Sequence, residues 1–263
     1  MQVFNNKVIW ITGASSGIGK ELAIQLAKAG ARLVLSARNE NALTALKDEL
    51  AGDAHLVLPL DLNDSSNFHA LTQQVVDHFQ RIDYLFNSGG ISQRAEAWET
   101  AIDVDRKIME VNYFGNIALT KAVLPVMQKQ QSGHIIVTSS IAGKFGFFLR
   151  SAYCASKHAL HGFYESLLLE EEKNGISVTI VCPGKILTPI SVNALTADGT
   201  AHGEMDKNQE TGMSVEECVQ QMLRATLQGK KEVLIGNKEI KAVTLKRFFP
   251  KLFWKIIKKQ SAT

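Results

Sequence analysis

Lys7-Val8-Ile9-Trp10-Ile11-Thr12-Gly13-Ala14-Ser15-Ser16-Gly17-Ile18-Gly19-Lys20 carries an apolar strand pattern into a glycine-rich turn and straight on into a helical pattern. A glycine lacks Cβ, so it permits a tight turn and lets the main chain come close to another group. The helix that follows offers unpaired N–H groups and the positive end of its dipole. Together these features predict an anion site, suited to a phosphate, at Gly13, Ser15, Ser16, Gly17, Ile18 and Gly19. The spacing Gly-x-x-x-Gly-x-Gly differs from the Gly-x-Gly-x-x-Gly dinucleotide fingerprint, and a purely structural turn would need glycines as well.

Outward from this turn, strand-like runs recur at Lys7 to Ile11, Arg32 to Ser36, His55 to Pro59, Ile82 to Phe86, His134 to Thr138, Ser177 to Cys182 and Glu232 to Ile235. Between them lie helical patterns such as Lys20 to Ala29 and Ala42 to Leu50, with apolar positions at helical spacing. Strands alternating with helices spell repeated βαβ units. The fold expected is therefore α/β, a Rossmann-type doubly wound sheet of about seven parallel strands with roughly six helices on both faces. At 263 residues and 45% hydrophobic content the chain suffices for one large core, and residues 1–263 read as a single domain. Residues 188–214, rich in Thr, Gly, Asn and Asp and without a sustained period, read as a mobile loop. Ligands in open α/β sheets bind beyond the carboxyl ends of strands, so this loop is a candidate lid over substrate, with an ordinary surface loop as the alternative.

The net charge of +3 and the isoelectric point near 8.7 are too mild as a whole to imply either nucleic acid or membrane as a partner. Three cysteines, Cys154, Cys182 and Cys218, are odd in number and irregularly spaced, with no Cys-x-x-Cys pair. That argues against a disulfide framework or a metal site and fits a reduced, cytoplasmic setting. The first strand begins after six residues, leaving no room for a signal sequence. No apolar run reaches about 18 residues, so no membrane span is expected.

The second strand ends in Ser36-Ala37-Arg38-Asn39, where a ribose with a free 2′-hydroxyl would require an acidic residue. Arg38 instead offers a planar cation for a 2′-phosphate. This favours NADP(H), with NAD(H) less favoured and a solvated surface arginine as the plain alternative. Tyr153 and Lys157 lie four residues apart in Ser151-Ala152-Tyr153-Cys154-Ala155-Ser156-Lys157, a helical stretch, so both occupy one face. An ammonium near a phenol stabilises the phenolate and lowers its pKa, which fits Tyr153 for general acid or base work. Alone, a Tyr-x-x-x-Lys pair is a weak signal. Ser140 follows the strand at His134 to Thr138, on the same edge as the phosphate turn, placed to hydrogen-bond a reacting oxygen. Asn112 is placed to hold a water that relays protons from Lys157.

Taken in order, these motifs, with Asp61-Leu62, Asn87-Ser88-Gly89-Gly90 and Pro183-Gly184-Lys185-Ile186-Leu187-Thr188, resemble the short-chain dehydrogenase/reductase family over nearly the whole chain. The resemblance implies catalysis by Asn112, Ser140, Tyr153 and Lys157, hydride passing between a nicotinamide and a carbonyl carbon, and no metal. It implies that Asp61 contacts the adenine, that Asn87 supports the central strand and the cofactor, and that Lys157 also binds the nicotinamide ribose. Ile186 and Thr188 would hold the nicotinamide carboxamide, with Leu62, Tyr153, Pro183 and Gly184 also along the cofactor. A homodimer or homotetramer is implied too. The family usually reads Asn-Asn-Ala-Gly where this chain has Asn87-Ser88-Gly89-Gly90, a change expected to loosen that turn or alter one side-chain hydrogen bond. Within the family, the stretch from Pro183 through Asn193-Ala194-Leu195-Thr196 resembles the dehydrogenase/reductase member 7 group. The best-described relatives in that group are membrane-associated reductases of lipid-like carbonyls, which implies an apolar substrate.

After Glu239 the chain has no acidic residue but carries Lys241, Lys246, Arg247, Lys251, Lys255, Lys258 and Lys259. If Pro250 starts a helix in this tail, residues 241–263, then Phe249, Leu252, Phe253, Ile256 and Ile257 share one face, largely opposite the lysines. Such a pattern suits an interfacial membrane helix, and the alternative is packing of that face on a subunit or on the domain's own core. His158 and His161 read as surface or packing residues, and Glu170-Glu171-Glu172-Lys173 as a solvated helix end. Phe145, Phe147 and Phe148 are candidates to shape substrate specificity. The activity expected is NADP(H)-dependent interconversion of a carbonyl and an alcohol. The competing reading is a dinucleotide-binding sensor or membrane-surface scaffold with incidental turnover.

Overall fold

The computed structural model describes residues 2–261. Strands β1 (Val8–Thr12), β2 (Arg32–Ser36), β3 (Leu56–Val57), β4 (Tyr84–Asn87), β5 (Gly133–Thr138), β6 (Ile176–Pro183) and β7 (Glu232–Ile235) form one sheet. Every pairing is parallel, in the order β3-β2-β1-β4-β5-β6-β7. The expected strand at His55 to Pro59 shrinks to two residues. It is the sheet edge, although Leu58 and Leu60 still donate N–H bonds to Leu35 and Ala37 at 3.0 and 3.1 Å.

The helices are α1 (Gly17–Lys28), α2 (Glu40–Glu49), α3 (Phe68–Phe79), α4 (Ile102–Met109), α5 (Gly115–Gln130), α6 (Ser151–Glu171), α7 (Lys207–Glu210), α8 (Val215–Leu227), α9 (Lys241–Phe248) and α10 (Pro250–Ile257). Local chemistry sets several of their ends. Asn39 caps α2 by accepting from the Ala42 N–H at 3.0 Å, and Ser214 caps α8 through Glu217. Because strand side chains alternate, Val8 and Trp10 of β1 face one layer and Ile9 and Ile11 the other. The first layer is built on α3, α5 and α6, including Phe68, Val75, Val123, Leu160 and Tyr164. The second is built on α1, α2 and α8, including Leu22, Leu26, Leu43, Val219 and Met222. Chain order runs outward from β1 to β2 and β3, then returns to β4 on the other side. That reversal opens a crevice between the carboxyl ends of β1 and β4.

Residues 188–214 form a loop, as expected, with the one-turn helix α7 near its end, and the loop is anchored to the body by contacts the composition does not show. Leu195 exchanges main-chain bonds with Ser92 and Arg94 at 2.9 and 2.8 Å, Met213 bonds Lys185 and Leu187, and Asp206 is buried beneath two arginines. Composition hides these anchors because they are long-range and polar. Glu171 is a correction to a solvated helix end: it is buried and accepts from Gln128 at 3.0 and 3.1 Å and from Asn174 at 2.8 Å.

In the tail, Pro250 does open a helix, and the expected apolar face divides. Phe253 and Ile257 pack inward against Phe145, Ile141 and Leu245, with Phe253 and Phe145 edge to face at 5.3 Å. Phe249, Leu252 and Ile256 stay exposed. Phe253→Ala should therefore lower unfolding free energy by about 3 kcal/mol in urea denaturation, against under about 0.5 kcal/mol for Leu252→Ala. Equal effects would contradict this seating of α10.

Candidate active site

At the crevice the tips of β1 and β4 are fastened by one side chain. The buried Thr12 hydroxyl accepts the N–H groups of Ser88 and Gly89, each at 3.0 Å. Gly13 adopts φ +69°, and a Cβ there would stand 2.9 Å from the Gly89 Cα. A Cβ on Gly19 would collide with the Gly13 carbonyl, which fixes α1 against the turn. The departure at Ser88 has not loosened this corner: its hydroxyl pairs with that of Thr138 at 3.1 Å.

Around the turn lies a cleft of about 870 Å³, lined by Gly13, Ser15, Ser16, Gly17, Ile18 and Gly19 at one end. Ser16 provides no side-chain cap to α1, which leaves the first N–H groups of the helix for an outside acceptor. A glycine cradle next to an uncapped helix start fits a pyrophosphate. Arg38, Asp61 and Leu62 line the cleft farther along, and Pro183, Gly184, Ile186, Thr188, Tyr153 and Lys157 line the opposite end. Arg38 is exposed, and no ion pair or hydrogen bond within the described residues engages its guanidinium. Ser36, the last residue of β2, is committed inward to Trp10 and the Leu58 carbonyl at 2.9 and 2.6 Å.

Asn87 is the expected cofactor residue that does not reach the cleft. Its amide donates to the hydroxyls of Thr120 and Tyr164 at 2.9 and 3.0 Å, behind β4, so it braces the strand from within the core.

Asn112 sits in a π turn, Glu110–Phe114, inserted between α4 and α5. Its side chain is fully committed, pairing with the N–H and carbonyl of Ile91 at 2.8 and 2.9 Å and donating to Ser156 at 3.0 Å. Its main-chain carbonyl also accepts from the Asn116 amide at 2.9 Å. Asn116, also buried, was not singled out by sequence reasoning.

Ser140, Tyr153 and Lys157 converge where the cleft turns inward. Lys157 donates to the Thr138 carbonyl at 2.8 Å, and its ammonium lies 5.7 Å from the centre of the Tyr153 ring. Burial pushes Lys157 down to about 8. Burial pushes the Tyr153 phenol up, while hydrogen bonding with Ser140 and the charges of Arg150 and Arg94 pull it back. Those two arginines share one carboxylate, Asp206, at 2.8 and 2.5 Å, so an excess positive charge is held beside the phenol. Arg150 stands at the start of the Tyr153 helix, three residues upstream, whereas Arg94 becomes a neighbour of Tyr153 only through loop packing.

Beneath Lys157, His161 bonds the Ser139 hydroxyl at 3.0 Å, and Ser139 donates to the Lys157 carbonyl at 3.1 Å. Burial and the Lys144 ammonium, 3.1 Å away, push His161 down to about 4. His161, Cys182 and Glu232 form the one group of potential metal ligands among the described residues, but Lys144 already bonds both His161 and Glu232 there. The three cysteines are buried and unpaired.

A second chamber of about 850 Å³ meets the cleft at Ser140, Tyr153 and Gly184. Phe145, Phe147, Leu245, Phe249, Phe253 and Ile256 make its apolar wall, whereas Phe148 points to solvent.

Between pH 8 and 10.5 the folded protein keeps Lys157 neutral while the unfolded chain still protonates it. At this group the unfolded state then binds more protons, so its contribution to stability rises with pH across that window, by about 3 kcal/mol in all. The buried thiols of Cys182 and Cys218, pushed up to about 12, act in the opposite sense above pH 9 in any variant, so urea unfolding of the cofactor-free protein should show a more positive pH slope than Lys157→Met across the window. Equal pH slopes in the two proteins would refute the assignment.

A model described as short chain dehydrogenase matches residues 7–199. Dehydrogenase/reductase SDR family member 7B of Mus musculus is 44% identical over 259 residues, 96% of this chain and 80% of that protein. Dehydrogenase/reductase SDR family protein 7-like of Drosophila melanogaster is 42% identical over 262 residues, covering 97% of this chain and 80% of that one. A short-chain dehydrogenase of Streptomyces avermitilis superposes at a TM-score of 0.83 with 26% identity, over 97% of this chain and 98% of its own. A short chain dehydrogenase/reductase of Burkholderia phymatum, in complex with NAD, superposes equally well, at a TM-score of 0.83 over 95% of both chains. At 24% identity that likeness shows the shared fold. By its sequence, its relatives and its doubly wound sheet, the chain belongs to the short-chain dehydrogenase/reductase family of NAD(P)-dependent oxidoreductases.

Proposed function

We propose that this oxidoreductase uses NADP(H) to interconvert an apolar ketone or aldehyde and its alcohol. The observation that carries the reading is the junction of cleft and chamber. Tyr153 and Ser140 border both, so a carbonyl reaching from the apolar side meets their hydroxyls where the cofactor cleft ends.

The nicotinamide supplies or accepts hydride when bound. The chain's own residues position the carbonyl oxygen and move its proton. Ser140 donates toward that oxygen, and Tyr153 delivers the proton in reduction or removes it in oxidation. Lys157 is held by Thr138 with its ammonium near the ring, and the Arg94–Asp206–Arg150 cluster adds positive potential that favours the phenolate. The apolar wall excludes water and favours a substrate with a large hydrocarbon part.

NADP(H) preference rests on Arg38, exposed at the cleft with a free guanidinium in place of an acidic ribose acceptor. Absorbance assays with a panel of ketones, aldehydes and lipid carbonyls test the whole reading. Tyr153→Phe should lower kcat by roughly a hundredfold or more. Arg38→Gly should raise KM for NADPH about tenfold or more while leaving that for NADH within about twofold. Full activity in Tyr153→Phe would overturn the chemistry, and an equal change for both nucleotides would overturn the cofactor preference.

A further inference from the structure

The tail exposes more apolar surface than its seating needs. Thirteen large hydrophobic side chains are exposed among the described residues, and five of them, Phe248, Phe249, Leu252, Trp254 and Ile256, fall between positions 248 and 256. Phe249, Leu252 and Ile256 follow the i, i+3, i+7 spacing of one helix flank, beside the inward stripe of Phe253 and Ile257. A cluster of this kind on an otherwise polar surface marks a partner.

Charge identifies the partner. All 26 acidic residues lie before position 240, so the tail is the positive end of an otherwise net negative chain. Lys251, Lys255, Lys258 and Lys259 are exposed around the apolar flank. Aromatic and aliphatic side chains at the headgroup boundary, ringed by lysines, match an anionic lipid surface. No described helix is long and apolar enough to cross a membrane, so the contact is one of lying on it. The same flank borders the chamber, since Phe249 and Ile256 also line it, with Gln260 close by.

We propose that α9 and α10 dock on an anionic membrane surface and that the apolar chamber opens there, so that lipid-dissolved substrate reaches Tyr153 without crossing water. The portal rests on the reading of the chamber as the substrate site; the docking does not.

Flotation of the full chain with phosphatidylserine–phosphatidylcholine vesicles, beside phosphatidylcholine vesicles, reads the docking. The double variants Lys251→Glu with Lys255→Glu, and Leu252→Ser with Trp254→Ser, change exposed residues outside the chamber wall and the catalytic set. Each should weaken binding to the anionic vesicles at least about tenfold, and binding by the unaltered chain should fall as salt is raised. Both variants should oxidise NADPH normally with a water-soluble ketone, yet lose turnover of a long-chain ketone embedded in the anionic vesicles. Equal binding to neutral vesicles, or unchanged binding in both variants, would overturn the docking. So would a doubled mass in sedimentation that the variants abolish, because a second copy would then be the occupant. Undiminished turnover of the embedded ketone despite lost binding would overturn the portal. Oxidation with the soluble ketone reports on the reductase reading separately.

Discussion

The close approach of Gly13 to Gly89 is the constraint on which the site depends. It can persist only because Gly13 has no Cβ and because the Thr12 hydroxyl accepts two main-chain N–H groups from the tip of β4; a Cβ on Gly89 would meet the Leu62 side chain rather than Gly13. With the tips of β1 and β4 drawn together, the glycine turn, the start of α1 and the Gly89-Gly90 segment form one continuous floor. Gly90 carries the constraint onward. A Cβ there would press on the Asn112 amide at 3.0 Å and approach the Lys157 ammonium at 3.5 Å. The glycine cradle and the side chains of Asn112 and Lys157 are thus parts of one packed corner.

Burial and charge work against each other in that corner. Removing water pushes Lys157 down and Tyr153 up, both away from their charged forms. The fold answers with groups that draw the phenol back: the Ser140 hydroxyl, then the two arginines that share Asp206. Lys157 is steadied from behind as well, since the run from Lys144 through His161 and Ser139 ends on its carbonyl. His161 stays neutral near pH 7 because burial and the Lys144 charge oppose its protonation, which leaves it a ring for hydrogen bonding.

The sheet was legible because its signals are local. Seven strand runs separated by helical periods reappear as seven parallel strands, most within a residue or two of their expected ends. The glycine turn and the Tyr153–Lys157 pair were legible for the same reason, one through backbone freedom and the other through helical spacing. What sequence could not show depends on contacts between distant segments. Asn87 belongs to the right motif, yet Thr120 and Tyr164 turn its amide into the core. The segment at 188–214 has the composition of a loop, yet Leu195 and Asp206 tie it to the body. The tail's helical face read as one surface, whereas packing on Phe145 claims only Phe253 and Ile257. Arg94 was silent because an arginine signals nothing until its neighbours are known.

The two cavities touch at Ser140 and Tyr153, with an apolar wall on one side and a glycine cradle on the other. The most direct test of this junction is isotopic. A reduction run with NADPH carrying deuterium at both positions of nicotinamide C4, in ordinary water, should place one deuterium on the carbinol carbon of the product. A product whose carbinol hydrogen comes from water would contradict direct transfer across the junction.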